Sequence, residues 1–240
     1  MTAVFACDNL AVGYGKVSVV RGVSLQLHER EILAVLGPNG AGKTSLILAL
    51  AGLLTPMSGT ITLDGAAVKG GSARRLNRGG VVLVPDSRAL FTAMTTRENL
   101  EIAKRPRGMP VAEVFDRFPA LAMRTRVRAG MLSGGEQQML AVARALVQGP
   151  KVLIVDEMSM GLAPIIVEQL MPTLREVADS TAAAVVLVEQ HVQLALEIAD
   201  QALVLVHGDV SLHGDAAAIR TDPRRLEVAY LGAGAHDRTG

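Results

Sequence analysis

Gly37-Pro38-Asn39-Gly40-Ala41-Gly42-Lys43-Thr44 fits the spacing G-x-x-x-x-G-K-[ST] at every defined position. Glycines at these points let a loop wrap so that its backbone amides point at phosphate oxygens. Lys43 neutralises β and γ phosphates, the Thr44 hydroxyl ligates Mg²⁺, and the helix that follows offers its positive end. In KVLIVDE, four apolar residues carry Asp156 to the end of a buried strand, where a carboxylate can hold the metal through water. Glu157 follows, placed to take a proton from attacking water. Alone, this second motif could be a strand ending in its solvated turn; beside the phosphate cradle it becomes specific.

Another phosphate-binding pattern, LSGGEQQML, spans 132–140. Ser133 is a good helix N-cap, with Glu136 three residues on to complete a capping box. Capping does not account for Gly134 and Gly135, which weaken a helix at its first positions. Bare amides there suit an approaching anion. One nucleotide has one γ-phosphate, and the cradle at 37–44 already holds it. The second pattern therefore needs a phosphate held by another molecule. A two-fold, head-to-tail dimer supplies it: each chain's Ser133-Gly134-Gly135 closes over the nucleotide of the other, and hydrolysis removes the bridge.

The elements that must position these residues follow from hydrophobic periodicity. VFACDNLAVGYG and VSVVRGVSLQLHE read as antiparallel strands. EILAVLG is a buried strand leading into the cradle, and KTSLILALAGLL a helix behind it. TITLDG and VVLVP are further strands, with SARRLNR a short basic helix between them. From 95 to about 148 every segment is helical (TTRENLEIAKR, PVAEVFDRF, GGEQQMLAVARALVQ), so a helical lobe is inserted into an α/β core. Strand and helix then alternate through KVLIVDE, APIIVEQLMPTLREVAD, AAAVVLVEQ and HVQLALEIAD, which implies a parallel sheet covered on both faces. QALVLVHGDVSLHG closes as a hairpin at Gly208, and the tail GAGAHDRTG is expected to fray. The expected organisation is a single domain over 1–240: core and β lobe at 1–86 and 149–240, helical lobe at 87–148.

Bulk properties narrow the function. The 240 residues, half of them apolar, suit one large domain. Twenty-four Lys and Arg against 23 Asp and Glu leave a net charge of +1, which gives no support to nucleic acid as an obligate partner. Cys7 is the sole cysteine, pointing to a reducing compartment. The longest apolar stretch, SLILALAGLL, falls short of the ~18–20 residues that cross a bilayer. The N-terminus lacks the basic region of a signal peptide. Any membrane role must run through a partner.

LSGGEQQ, GPNGAGKTS and VLIVDE together resemble the ATP-binding-cassette (ABC) ATPases over nearly the whole chain. The resemblance implies a P-loop, RecA-like α/β core with an antiparallel β lobe and an inserted helical lobe, and ATP and Mg²⁺ as ligands. It implies that Tyr14, in VGYGK, stacks on adenine, and that Gly37, Asn39, Gly40, Ala41, Gly42, Lys43, Thr44 and Ser45 hold the phosphates. Thr44, Asp86 and Asp156 would serve the metal. Lys43, Glu157 and the γ-phosphate-sensing His191, in LVEQHV, would serve catalysis. Ser133, Gly134, Gly135 and Gln137 would cover the partner's nucleotide, and MSMGLAP (158–164) would cross the dimer interface.

Three positions depart from the family pattern: Asp86 stands for the usual Gln, Met158 for Pro, and Ala163 for Asp. VPDSRALF, GLAP, GGEQQML and a terminal YLG are similar to the shorter ATPase subunit of branched-chain amino-acid importers, a class that also moves urea and other amides. That resemblance implies a second ATPase subunit as homo- or heterodimer partner, with the heterodimer favoured. It also implies transmembrane permease subunits, an indirect periplasmic or extracellular solute-binding protein, and a peripheral place on the cytoplasmic face of the membrane. Two other readings stay open. A soluble cassette acting on nucleic acid would carry coiled-coil inserts or a strongly basic surface, and this chain has neither. A cofactor-assembly scaffold would need no membrane partner. Lys104, Arg105, Arg107, Arg117, Arg124, Arg126 and Arg128 form a basic run opposed by Glu113 and Asp116. It reads as a solvated helical face or as a surface toward the anionic leaflet.

Overall fold

Alternation of apolar side chains along three short strands builds the molecule around a sheet buried on both faces. A computed structural model describes residues 3–68 and 71–231; the tail expected to fray, and the terminal glycine of YLG, lie outside them. In β3 (Ile32–Leu36), Ile32, Ala34 and Leu36 join one apolar core while Leu33 and Val35 join the other. β7 (Val152–Asp156) and β8 (Ala184–Val188) divide in the same way. A period of two, apolar on both phases, requires cover on both sides.

These strands lie in a six-stranded sheet ordered β10-β9-β3-β8-β7-β6, with β6 Val81–Val84, β9 Gln201–Val206 and β10 Asp209–Asp215. Pairing is parallel except for the β9–β10 hairpin. A four-stranded antiparallel sheet ordered β2-β1-β4-β5 forms the β lobe: β1 Phe5–Tyr14, β2 Val17–Leu27, β4 Ser58–Leu63, β5 Ala66–Val68. Strand β5 went unread in the sequence because three residues carry no period.

Helix α1 (Lys43–Leu50) fills the core between the β lobe and the parallel sheet. Its sequence pattern extends to Leu54, but the helix ends at Leu50 and the chain turns through Gly52 at φ 76°. A Cβ on Gly52 would stand 2.8 Å from the backbone of Ala73, at the start of α2 (Ala73–Gly79), so the turn packs closely on that helix and has no room for a side chain.

The helical lobe carries α3 (Thr96–Ala103), α4 (Val111–Arg117), α5 (Pro119–Ala122) and α6 (Gly134–Leu146). It has no separate core. Leu100, Val114 and Leu121 belong to the same apolar cluster as Leu140, Leu153 and Leu187. Helices α7 (Pro164–Thr181) and α8 (Val192–Ile198) cover that face of the sheet. Two further helices, α9 (Ala216–Thr221) and α10 (Pro223–Leu231), follow β10; the sequence pattern had not separated them from a loop.

Candidate functional site

The phosphate-cradle loop leaves β3 at Gly37 with φ 145°, against β9: a Cβ there would come within 2.1 Å of the Leu205 carbonyl. Glycine is required at that point by packing as well as by chain reversal. Helix α1 opens at Lys43 with no side-chain cap and no acidic residue in its first turn. Its first amides therefore remain available to an anion. The Lys43 side chain is buried and donates to the Gly37 carbonyl at 2.8 Å and the Pro38 carbonyl at 3.1 Å, so the loop is curled around its ammonium group. Burial lowers the Lys43 pKa, and Glu157 and Asp156 pull it back up. Thr44 is exposed at the start of the helix; Ser45 is buried and lies 3.5 Å from the Tyr14 hydroxyl, at the outer edge of a hydrogen bond. Tyr14 ends β1 and is 54% exposed, an aromatic face beside the cradle available for stacking. Asn39 and Gly40 are exposed on the loop, Ala41 is buried and Gly42 half-buried.

Asp156 ends β7, buried, and its Oδ1 has no hydrogen-bond partner. Its pKa is pushed up to about 6, first by burial and then by Glu157 and Asp86, with Lys43 opposing. A buried, unpartnered carboxylate oxygen among other carboxylates calls for a cation. Asp86 is exposed on the loop after β6, its Oδ1 accepting from the Ser87 amide at 2.6 Å. Among the described residues no three His, Cys, Asp or Glu side chains converge as a metal cage. The donor set (Thr44 hydroxyl, Asp156, Asp86) suits Mg²⁺, which ordinarily binds through one or two carboxylates plus substrate phosphates.

Glu157 sits in left-handed backbone at φ 43°, held by its amide on the Val188 carbonyl at 2.9 Å. Gln190 Nε2 donates to Glu157 Oε1 at 3.0 Å. His191 is exposed at the N-cap position of α8, just past β8. The two strand ends thus bring Glu157 and His191 to neighbouring segments. Met158, where the family has Pro, is 1% exposed and packs in the main core.

At the other glycine motif, the Ser133 hydroxyl accepts from the Glu136 amide at 3.3 Å and Glu136 returns the bond to the Ser133 amide at 2.8 Å, completing the capping box. Ser133 and Gly134 are exposed. Gly135 is different: it is buried, and a Cβ would meet Ile166 of α7 at 2.8 Å. Packing within the chain is enough to require that glycine, a reason the sequence did not disclose. Gln137, expected to cover the ligand, is half-buried. Its amide nitrogen donates to the Ala129 and Leu132 carbonyls at 3.1 and 3.3 Å, and its oxygen accepts from Arg88 at 2.8 Å. Both ends are engaged inside the chain. Sequence reasoning also missed Glu189, fully buried one residue past β8 and bonded to Ser159; an acid ending an apolar strand ordinarily reads as solvated.

Of the basic run, Arg105 binds the Asn77 carbonyl at 2.7 Å, Arg117 the Ser180 hydroxyl at 3.0 Å, and Arg124 pairs with Glu136 at 3.0 Å. Those three serve internal contacts. No helix among the described residues is long and apolar enough to cross a membrane.

Comparison with known proteins matches the "ABC transporter" family model to residues 20–160. The chain is similar to the high-affinity branched-chain amino acid transport ATP-binding protein BraG of Pseudomonas aeruginosa, 38% identical over 94% of this chain and 98% of that one. It is also similar to the high-affinity branched-chain amino acid transport ATP-binding protein LivG of Salmonella typhimurium, 31% identical over 95% of this chain and 97% of that one. In fold it is similar to cbiO1 of Clostridium perfringens, part of the ABC transporter complex cbiONQ, with TM-score 0.82, 21% identity and coverage of 98% and 96%. It is likewise similar to the dimeric post-hydrolysis state of the ATP-binding cassette MJ0796 bound to ADP and Pi, with TM-score 0.75, 23% identity and coverage of 88% and 98%.

Proposed function

From the premise that this chain belongs to the ABC transporter family, we propose that it is the ATP-hydrolysing subunit of an importer for branched-chain amino acids or a related small amino acid or amide. ATP binding and hydrolysis are the family activity; the solute class comes from the names of the relatives. The observation that carries the reading is the joint burial of Lys43, which opens α1, and Asp156, which ends β7. Lys43 has only backbone carbonyls, and Asp156 Oδ1 has no partner. A metal–triphosphate would satisfy both: Lys43 would donate to phosphate oxygens, and Asp156 would help hold the cation.

In this reading the α1 amides and Lys43 hold the β and γ phosphates, and Tyr14 stacks on the base. Thr44, Asp156 and Asp86 would hold Mg²⁺, which when bound neutralises charge on the phosphate oxygens. Glu157 takes a proton from water as the water oxygen bonds to the γ phosphorus. The bond from that phosphorus to the β–γ bridging oxygen breaks, ADP leaves with the electron pair, and phosphate carries the new oxygen. His191 donates toward the γ-phosphate from the neighbouring segment.

We read the exposed Ser133 hydroxyl and Gly134 amide as the cover for a nucleotide on a second ATPase subunit. Met131, Met160 and Ile165 support this: they are 79%, 52% and 59% exposed around the same surface, an apolar rim that a dimer would bury. A groove of about 470 Å³ lined by Leu48, Ala51, Leu53, Leu83, Pro85 and Ala89 lies beside the loop carrying Asp86. It suits an amphipathic permease helix, through which lid motion would pass to the membrane. The chain would then sit peripherally on the cytoplasmic face.

The test is a trapped dimer. Glu157→Gln, alone or with its co-expressed sister subunit, should retain Mg-ATP binding and elute as a dimer; a monomer at saturating Mg-ATP refutes the shared site. Ser133→Arg should keep nucleotide binding and lose turnover.

A further inference from the structure

Glu189 lies one residue past β8 and two before His191, with none of its surface exposed. A carboxyl group in such a place is expensive unless its oxygens are satisfied. Both are. Oε1 accepts from the Ser159 amide at 2.9 Å; Oε2 accepts from the Ser159 hydroxyl at 2.5 Å and the Gln190 amide at 3.2 Å. Burial raises the Glu189 pKa, and the Ser159 bonds oppose that rise. No step of the hydrolysis described above uses this group.

The contacts around it show what it holds. Ladder pairing of β7 with β8 ends at Asp156 opposite Val188. Beyond that point the two chains stay joined by Glu157 N–H to the Val188 carbonyl, by Gln190 to the Glu157 carboxylate, and by the two bonds from Ser159 to Glu189. Glu157 is in left-handed backbone, a conformation that persists only where its surroundings impose it. From Ser159 the segment turns back, with the Leu162 amide on the Ser159 carbonyl at 3.1 Å. The Leu162 side chain then approaches to 3.3 Å of where a Cβ on Gly134 would stand. One buried carboxylate thus sits between the segment carrying His191 and the segment that starts at Glu157 and ends against the exposed glycine motif.

We propose that Glu189 is a positioning residue for ATP hydrolysis: by gripping Ser159 at amide and hydroxyl, it sets residues 157–163 in register with His191 and Gly134. The inference rests on the ATPase reading above. The hydrogen bonds of the Glu189 side chain go to Ser159 and Gln190 and to none of the phosphate-cradle residues, so its loss should slow turnover and leave ATP affinity intact.

Steady-state ATPase activity of the assembled transporter decides the matter, with Glu189→Ala, Glu189→Gln, Ser159→Ala and the Glu189→Ala/Ser159→Ala pair measured beside wild type. Glu189→Ala and Ser159→Ala should each lower kcat by about tenfold with KM for ATP within about twofold, and the pair should be no worse than Glu189→Ala alone. Glu189→Gln should keep more activity than either alanine variant, because its carbonyl can accept from the Ser159 amide while its NH₂ donates to the Ser159 hydroxyl, at the loss of an acceptor for the Gln190 amide. Multiplying losses in the pair, a parallel rise in KM, or unchanged kcat in Ser159→Ala would each overturn the proposal. Should Glu189→Ala not fold, the contrast between Ser159→Ala and Glu189→Gln still decides. Wild type without ATPase activity would instead refute the ATPase reading itself, so the two failures are told apart.

Discussion

Arg88 on the loop after β6 reaches Gln137 on the first turns of α6, donating from Nη1 to Oε1 at 2.8 Å, and its Nε donates to neighbouring Gln138 at 3.0 Å. Arg88 and Ala89 both occupy left-handed backbone, at φ 63° and 48°. Arg144, further along α6, donates to the Ala89 carbonyl at 2.5 Å and stacks over Phe91. The loop that carries Asp86 is thus strained and hung on the helix that carries Gly134. Arg88→Ala should free the loop and reduce kcat by about tenfold with little change in nucleotide binding. Arg88→Lys should not restore activity, since one ammonium cannot reproduce a fork to two amide oxygens. Turnover of Arg88→Lys at the wild-type rate would refute this coupling.

The two glycines of LSGGEQQ should respond differently. Gly135→Ala pushes a methyl into Ile166 and should cost about 1–3 kcal/mol of stability. Adding Ile166→Ala should recover part of that loss, which a double-mutant cycle by chemical denaturation would show. At Gly134 the nearest atom is the flexible end of Leu162, at 3.3 Å. Gly134→Ala should therefore leave the melting temperature nearly unchanged while suppressing ATP turnover.

Asp156 is a buried carboxylate that costs the empty fold stability. Burial and the nearby Glu157 and Asp86 all disfavour its charge, and its Oδ1 is unpartnered. Asp156→Asn should stabilise the chain in EDTA at neutral pH by about 1 kcal/mol, a rise in Tm of about 2–4 °C for a chain of this size. With Mg-ATP present the order should reverse, because the variant loses the stabilisation that the metal–nucleotide complex gives wild type. Thermal melts in both conditions check it.

Ala163 occupies the N-cap of α7, exposed, with Pro164 next and no side chain to satisfy the first amides. The family's Asp at this position is one of the better N-caps. Ala163→Asp should stabilise the fold by about 0.5–2 kcal/mol. A melting temperature equal to or below wild type would show that those amides are already satisfied otherwise.

The capping box at Glu136 sets an acid limb. The Ser133 amide, and after it Arg124, hold the Glu136 carboxyl below its ordinary value of 4.5. A depressed carboxylate pKa contributes stability that is complete above the ordinary value and fades as pH falls through the depressed one. Below pH 4.5 wild type should lose its advantage over Glu136→Gln, as denaturation midpoints at neutral pH and at pH 3 would reveal.

Much of this was legible in the residues because the relevant signals are local. A cradle such as GPNGAGKTS must follow a strand and open a helix, and VLIV before Asp156 has nowhere to lie but inside a sheet. Ser133 and Glu136 announce their helix start through side chains three residues apart. Where the reading ran short, the cause was a contact between distant segments. Helix α1 stops at Leu50, and the turn after it packs Gly52 against the start of α2. Gln137 is engaged because Arg88, 49 residues earlier, lies over it. Gly135 is small because Ile166 packs there.

Spacing along the chain was therefore enough to point to a nucleotide-binding α/β fold and to mark Lys43, Asp156, Glu157 and Ser133 as candidates, since each depends on neighbours within a few residues. Folding alone settled which of them share a crevice, and which polar groups nearby are already committed. Glu189 is the clearest case. In the string it is one more acid after an apolar run; in three dimensions it is wholly enclosed and grips Ser159, 30 residues away. Burial and partnership are properties of surfaces brought together by packing, and no local pattern encodes them.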